Sequence, residues 1–190
     1  MMPEPLSQED RATLLKVARQ SMTLAVREKK SLRLDLNAYS PLLQQNGASF
    51  VTLTVEGDLR GCIGALEAYQ PLILDVCEHA VAAALEDYRF MPVTAGELDL
   101  IQIEISRLTP PQPLNYLGAE DLIAQLNPGR DGVILKDGMR RATFLPQVWE
   151  KLPDPAQFLG NLCEKMGAPF HLWQHKPLQV FIYQVEEFHE

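Results

Sequence analysis

Arg60 and Cys62 stand two residues apart in the stretch Leu59-Arg60-Gly61-Cys62-Ile63-Gly64. On an extended strand that spacing turns both side chains to one face. A guanidinium beside a thiol favours the thiolate, the nucleophilic form of cysteine. Gly61 and Gly64 lie in the same stretch, and glycine inside a strand marks a bulge or a place where a ligand or another backbone comes close. The chemistry this points to is nucleophilic: Cys62 attacks or accepts a covalent group, Arg60 holds an anion, and the glycines admit substrate to the backbone. The plainer alternative is a cysteine buried as a small hydrophobe, with Arg60 in a surface ion pair.

A second stretch echoes the first. Glu56-Gly57-Asp58-Leu59-Arg60-Gly61-Cys62 aligns without gaps on Asp137-Gly138-Met139-Arg140-Arg141-Ala142-Thr143. If the echo is an internal duplication, Arg141 and Thr143 occupy in the second half the places of Arg60 and Cys62, and line the opposite wall of a shared cleft. Asp131 and Glu104 are then the candidates for a general base; Glu104 is alternatively solvated, or paired with Arg60 or Arg107. His171 and His175 have helical ligand spacing with Cys163 upstream. Pro169 and Pro177 leave little helix to present them, and zinc takes three or four ligands in a recognisable pattern, so no metal site is expected. Neither glycine-rich nucleotide fingerprint occurs, and no cofactor is expected.

The elements that must hold these residues follow from periodicity. Val51 to Val55 alternates as a half-buried strand, Glu56-Gly57-Asp58 turns the chain, and the hexapeptide returns as the second strand of a hairpin. Ser7 caps a helix over residues 8–28 with an apolar stripe through Leu14, Ala18, Met22 and Ala25. Leu32 to Asn37 alternates and reads as a short strand. A second helix opens at Gln70-Pro71, buries Val76, Ala80 and Ala84, and turns Glu78, His79, Glu86 and Asp87 outward. Tyr88 to Pro92 breaks it, and Leu100 to Leu108 is a strand with Ile101, Ile103 and Ile105 on its core face. The proline-rich Thr109 to Pro113 is the one plausible internal boundary. Beyond it come a helix over 120–126, a hairpin turning on Asp137-Gly138, a helix capped by Asp154-Pro155, and a final strand over 178–185. Hairpins mixed with isolated helices, without strand–helix alternation, give an α+β fold with mainly antiparallel sheet.

Composition narrows the function classes. With 46% hydrophobic and 22% charged residues in 190, the chain has material for a good core. A formal charge of −8 opposes sequence-independent binding to nucleic acid or anionic lipid. No segment has the apolar length of a membrane span, and Met1 to Pro5 lacks the features of a signal peptide. Three widely spaced cysteines do not make a disulfide framework, so a reduced, cytoplasmic protein is expected.

The hexapeptide Leu59 to Gly64 resembles the hallmark of the AMMECR domain family, whose bacterial and archaeal members are called protein A of the AmmeMemoRadiSam system. Further similarities follow in order: Arg89-Phe90-x-Pro92-Val93, Ile103-Glu104-Ile105-Ser106, Pro128-Gly129-Arg130-Asp131-Gly132-Val133, and Ala142 through Trp149. Tyr88 departs from the smaller residue or proline common before the Arg-Phe. The resemblance spans residues 8–188 as one domain, subdivided near 109–113, and implies two unequal, interleaved α+β subdomains. It also implies that the hexapeptide is the active or binding site, and that the chain acts with a Memo-like protein and a radical S-adenosylmethionine enzyme in a modification pathway. The chain lacks the radical enzyme's three-cysteine motif, which makes it a partner and not the radical generator. Three readings remain: a cysteine-dependent enzyme or substrate-handling component acting on a small molecule or peptide, a non-catalytic protein- or peptide-binding module using the same hairpin, and a purely structural strand crossing.

Overall fold

A computed structural model of the chain describes residues 5–190. The amino-terminal stretch from which the lack of a signal peptide is read begins, at residues 1–4, outside the described residues. In chain order the elements are α1 (Gln8–Glu28), α2 (Pro41–Gln44), β1 (Asn46–Val55), β2 (Asp58–Gly64), β3 (Gln70–Pro71), α3 (Leu72–Leu85) and β4 (Ile101–Leu108). There follow β5 (Gln112–Pro113), α4 (Ala119–Gln125), β6 (Gly132–Asp137), β7 (Arg140–Phe144), α5 (Pro155–Lys165), α6 (Leu172–His175), β8 (Gln179–Tyr183) and β9 (Val185–His189). The α+β class expected from the sequence is the one found. The chain divides into two compact units, one holding the described residues up to Thr109 together with Glu186–Glu190, the other Pro110–Val185.

In the first unit the sheet runs β2-β1-β4-β9, with β3 also pairing β1. Strands β2, β3 and β4 all run antiparallel to β1. One face of the sheet is apolar. Val51, Leu53, Ile101, Ile103 and Ile105 join Leu14 and Met22 of α1 and Val76, Ala80 and Ala83 of α3 in a single cluster, and every one of these side chains is at most 3% exposed. Burying a Leu, Ile or Met side chain contributes about 1.5–3 kcal/mol, so this face fixes which way β1 and β2 turn their remaining residues. Ser7 caps α1 through the N–H of Asp10, whose side chain reaches back to the Ser7 N–H. The β1–β2 turn carries Glu56 and Gly57 at φ 52° and 88°, the left-handed pair of a tight hairpin.

The second unit has a sheet of order β5-β8-β6-β7. Its core stacks Trp149 on Phe158 with ring centroids 3.7 Å apart, and Phe144 meets Phe158 edge-on at 5.3 Å. The Trp149 Nε1–H donates to the Asp131 carbonyl at 2.7 Å.

Three expectations need correction. Leu32 to Asn37 is no strand: Leu32, Leu34 and Leu36 pack on the core, and Asp35 caps a short 3-10 turn at Leu36–Ala38. Alternate burial of the three leucines produces the same two-residue period as a strand without any ladder pairing. The last strand is not continuous, since β8 pairs in the second unit's sheet and β9 in the first's. Finally, His79 and Asp87 are buried, at 5% and 4% exposure. His79 Nδ1 lies 3.2 Å from the wholly buried Asp75 Oδ2, which also accepts the Ser49 hydroxyl at 2.6 Å.

Candidate functional site

The site residues proposed from sequence fall into both units. Arg60, Gly61, Cys62, Gly64 and Glu104 belong to the first; Asp131, Arg141 and Thr143 belong to the second.

Cys62 is half-buried on β2, an outer strand of its sheet. It sits opposite Thr52 of β1, and Thr52 in turn sits opposite Glu104 of β4. Directly opposed residues share a face, so thiol, hydroxyl and carboxylate form one row across the face turned away from the helices. The Thr52 hydroxyl donates to Cys62 Sγ at 3.3 Å. Gly64 lies on the same face, opposite Phe50. A Cβ there would fall 2.4 Å from Phe50 Cγ, so the glycine lets the ring lie across the strand.

Arg60 does not join this row. The β1–β2 register shifts between Leu53 and Thr54: Gly61 faces Leu53, Leu59 faces Thr54, and Arg60 has no opposing residue. This bulge interrupts the two-residue alternation from which a shared Arg60–Cys62 face was expected. The Arg60 guanidinium instead grips Glu97, Nε to Oε1 at 2.8 Å and Nη2 to Oε2 at 3.3 Å. Glu97 also accepts the N–H and hydroxyl of Thr94, both at 2.8 Å. Arg60 first, then Thr94, hold its carboxyl down to about 2. Gly61 answers to packing: a Cβ would come 2.1 Å from the Ala83 carbonyl oxygen of α3. Of the two possibilities open for a strand glycine, another backbone is the one that approaches Gly61.

The guanidinium that does reach Cys62 belongs to Arg89. Asp87 Oδ2 accepts the Cys62 N–H at 2.9 Å, and Arg89 Nη2 donates to the Cys62 carbonyl at 3.2 Å. Asp87 and Arg89 are themselves joined by Nη2 to Oδ2 at 2.6 Å and Nε to Oδ1 at 2.9 Å, and the Arg89 N–H donates to Oδ1 at 3.1 Å. Between them they satisfy the N–H and C=O that Cys62 presents at the outer edge of the sheet, as a neighbouring strand would. Arg89's hydrogen bonds, with those of the two backbone N–H groups, hold the Asp87 carboxyl far below the usual carboxylate range against the opposing effect of burial. Burial pushes both other thiols, Cys77 and Cys163, up.

In the second unit Thr143 is buried, donates to the Val133 carbonyl at 2.9 Å and lies 3.0 Å from the Tyr183 hydroxyl. Burial pushes that phenol up to about 12. Arg141 is exposed, stands opposite Lys136 on regular β-ladder, and acts electrostatically on Tyr183. The β6–β7 ladder has no counterpart of the bulge at Arg60, so the echo does not extend to local geometry. Asp131 is 1% exposed and closes its loop by accepting the Asn127 backbone and side-chain N–H groups, each at 2.9 Å.

Sequence reasoning passed over Thr52, Asp87 and Glu97. Asp87 carried a signal: an acid just past a helix C-terminus opposes the macrodipole, which asks what else holds it. Among the described residues no group of three or more His, Cys, Asp or Glu side chains could hold a metal ion, and no helix is long and apolar enough to cross a membrane.

Comparison with known proteins finds relatives along nearly the whole chain. A protein of Methanothermobacter thermautotrophicus is 40% identical over 187 residues, 98% of this chain and 97% of the relative. One from Thermofilum pendens is 34% identical over 200 residues, 97% of this chain and 92% of the relative. The crystal structure of the uncharacterised protein PH0010 from Pyrococcus horikoshii superposes with a TM-score of 0.83 at 30% identity, covering 97% of this chain and 93% of that one. With the AMMECR1 family profile matching residues 15–188 as well, the chain belongs to the AMMECR1 family.

Proposed function

We propose that the chain is a cysteine-dependent enzyme, or a substrate-handling component of a modification pathway, in which Cys62 is the reacting thiol. One observation carries the reading: Cys62 is half-buried on an outer strand and its Sγ accepts a hydroxyl hydrogen bond at 3.3 Å, while its own peptide is pinned on both sides by Asp87 and Arg89. A donor aimed at sulfur stabilises the negative charge left when the thiol gives up its proton, and a pinned backbone keeps the sulfur in one position. In this scheme the Cys62 sulfur adds to a double-bonded electrophilic centre of the substrate, whose π electron pair moves onto the substrate's own heteroatom, and the thiol proton passes to a base for which Glu104, beyond Thr52 in the same row, is the candidate. Arg89, and not Arg60, is the arginine that holds the Cys62 peptide, and its charge is paired with Asp87. The family's association with a Memo-like protein and a radical S-adenosylmethionine enzyme supports placing the step in their pathway.

Competitive alkylation tests this. Native protein is treated with iodoacetamide at pH 7 and the three cysteines are followed by peptide mass spectrometry. Cys62 is expected to react about tenfold faster than Cys77 or Cys163, and Thr52→Val to slow Cys62 alone. Equal or slower labelling of Cys62 removes the chemical reading. What remains then is the non-catalytic protein- or peptide-binding module on the same hairpin.

A further inference from the structure

The first unit's exposed large apolar side chains are not evenly scattered. Among the described residues they are Leu59, Tyr69, Tyr88, Met91 and Leu100, exposed by 44%, 55%, 94%, 81% and 60%. Leu59, Tyr88 and Met91 gather at the outer edge of β2; Tyr69 lies apart, and so does Leu100, which precedes β4 on the far side of β1. Leu59 is in β2 itself. Tyr88 and Met91 flank the Asp87–Arg89 clamp on Cys62. Exposed apolar groups gathered in one place mark an interaction surface, and tyrosine and methionine are the residue types that anchor such surfaces.

The charges around the patch are one-sided. Its two arginines are neutralised, Arg60 by Glu97 and Arg89 by Asp87. The exposed acids Glu56 and Asp58 stand in the turn and at the start of β2, and exposed Glu86 adjoins the Asp87 that clamps Cys62. A second copy of the chain would bring a like-charged rim against this one, and the whole chain carries a formal −8, so self-association is opposed. An anionic membrane or a nucleic acid is repelled for the same reason.

We infer that the outer border of β2 is a docking surface for a protein partner presenting an apolar centre ringed by Lys and Arg. That the partner thereby delivers substrate to Cys62 rests on the thiol reading above; the docking itself does not.

Random 12-residue peptides displayed on phage and selected against the immobilised full chain supply the probe. Selected peptides should combine Lys or Arg with aromatic or aliphatic residues, and should shift the backbone NMR signals of residues 56–62 and 86–91. Their affinity should fall about tenfold in Tyr88→Ala/Met91→Ala and in Glu56→Lys/Asp58→Lys, weaken about threefold or more between 50 and 300 mM salt, and be unmoved by Tyr69→Ala. All the substituted side chains are exposed, so loss of fold does not mimic the result. Cys62→Ser should bind as wild type, which separates failure of this surface from failure of the thiol. Selection of acidic or neutral peptides, signals shifting elsewhere, salt-insensitive binding, or a concentration-dependent dimer abolished by Tyr88→Ala would each overturn the proposal.

Discussion

Replacing Asp87 with Asn keeps the side chain's size and removes the charge that organises the edge of β2. The wild-type carboxylate accepts one backbone N–H from Cys62 and, from Arg89, one backbone and two guanidinium N–H groups. Arg89 is 45% exposed, so water makes up much of what it loses. The Cys62 N–H keeps only the neutral Asn oxygen, since among the described residues no strand lies beyond β2 to take it. A hydrogen bond to a charged acceptor contributes about 1–1.5 kcal/mol more than one to a neutral acceptor. At about 1.4 kcal/mol per tenfold, that corresponds to roughly 5- to 10-fold more frequent opening of this one amide. Amide hydrogen exchange followed by NMR reads it directly. In Asp87→Asn the Cys62 amide should exchange faster by that factor, while Leu53, flanked by strands on both sides of β1, keeps its wild-type rate. An unchanged Cys62 amide would refute the view that the Asp87 carboxylate closes the edge.

Gly61→Ala forces a Cβ to within 2.1 Å of the Ala83 carbonyl and should destabilise the protein by about 1–3 kcal/mol. Gly96→Ala meets nothing within 4 Å and should leave the thermal midpoint within about 2 °C; equal midpoints for the two variants would show that α3 does not require Gly61. Glu97 contributes stability that is present above its ordinary value of 4.5 and is lost as pH falls through its folded value of about 2. Because both partners keep some solvent contact, Glu97→Gln should cost about 1–2 kcal/mol in urea unfolding at pH 7. That difference should close as the pH is brought to about 2; a gap of the same size at low pH would mean the carboxylate's charge is not what stabilises the turn.

The fold was legible wherever one local signal decided it. Ser7 and Asp154 capped helices, Gly57 and Gly138 turned hairpins at positive φ, and the isoleucines of β4 kept a strict period of two. The site was legible in location but not in wiring. A single unpaired residue at Arg60 moved a guanidinium out of the row with Cys62, and no rule of alternation anticipates a bulge. The groups that do meet Cys62 come from residues ten and twenty-five or more positions away. Thr52 arrives through the hairpin register, while Asp87 and Arg89 are brought there by helix α3 packing over Gly61. The same limit explains His79 and Asp87. A polar side chain on the outer arc of a helix reads as solvent-facing, yet His79 is buried 3.2 Å from Asp75 and Asp87 is buried against Arg89.

The break at Gln184 has a consequence for biosynthesis. Strand β9 completes the first sheet, and Glu186 within it binds Arg11 and Arg107, two residues from far earlier in the chain. Residues 185–189 emerge from the ribosome only after the whole stretch 110–184 has been translated. The half that begins first therefore finishes last: its sheet waits with an open side on β4 while the later half, uninterrupted in sequence, is free to collapse around Trp149 and Phe158.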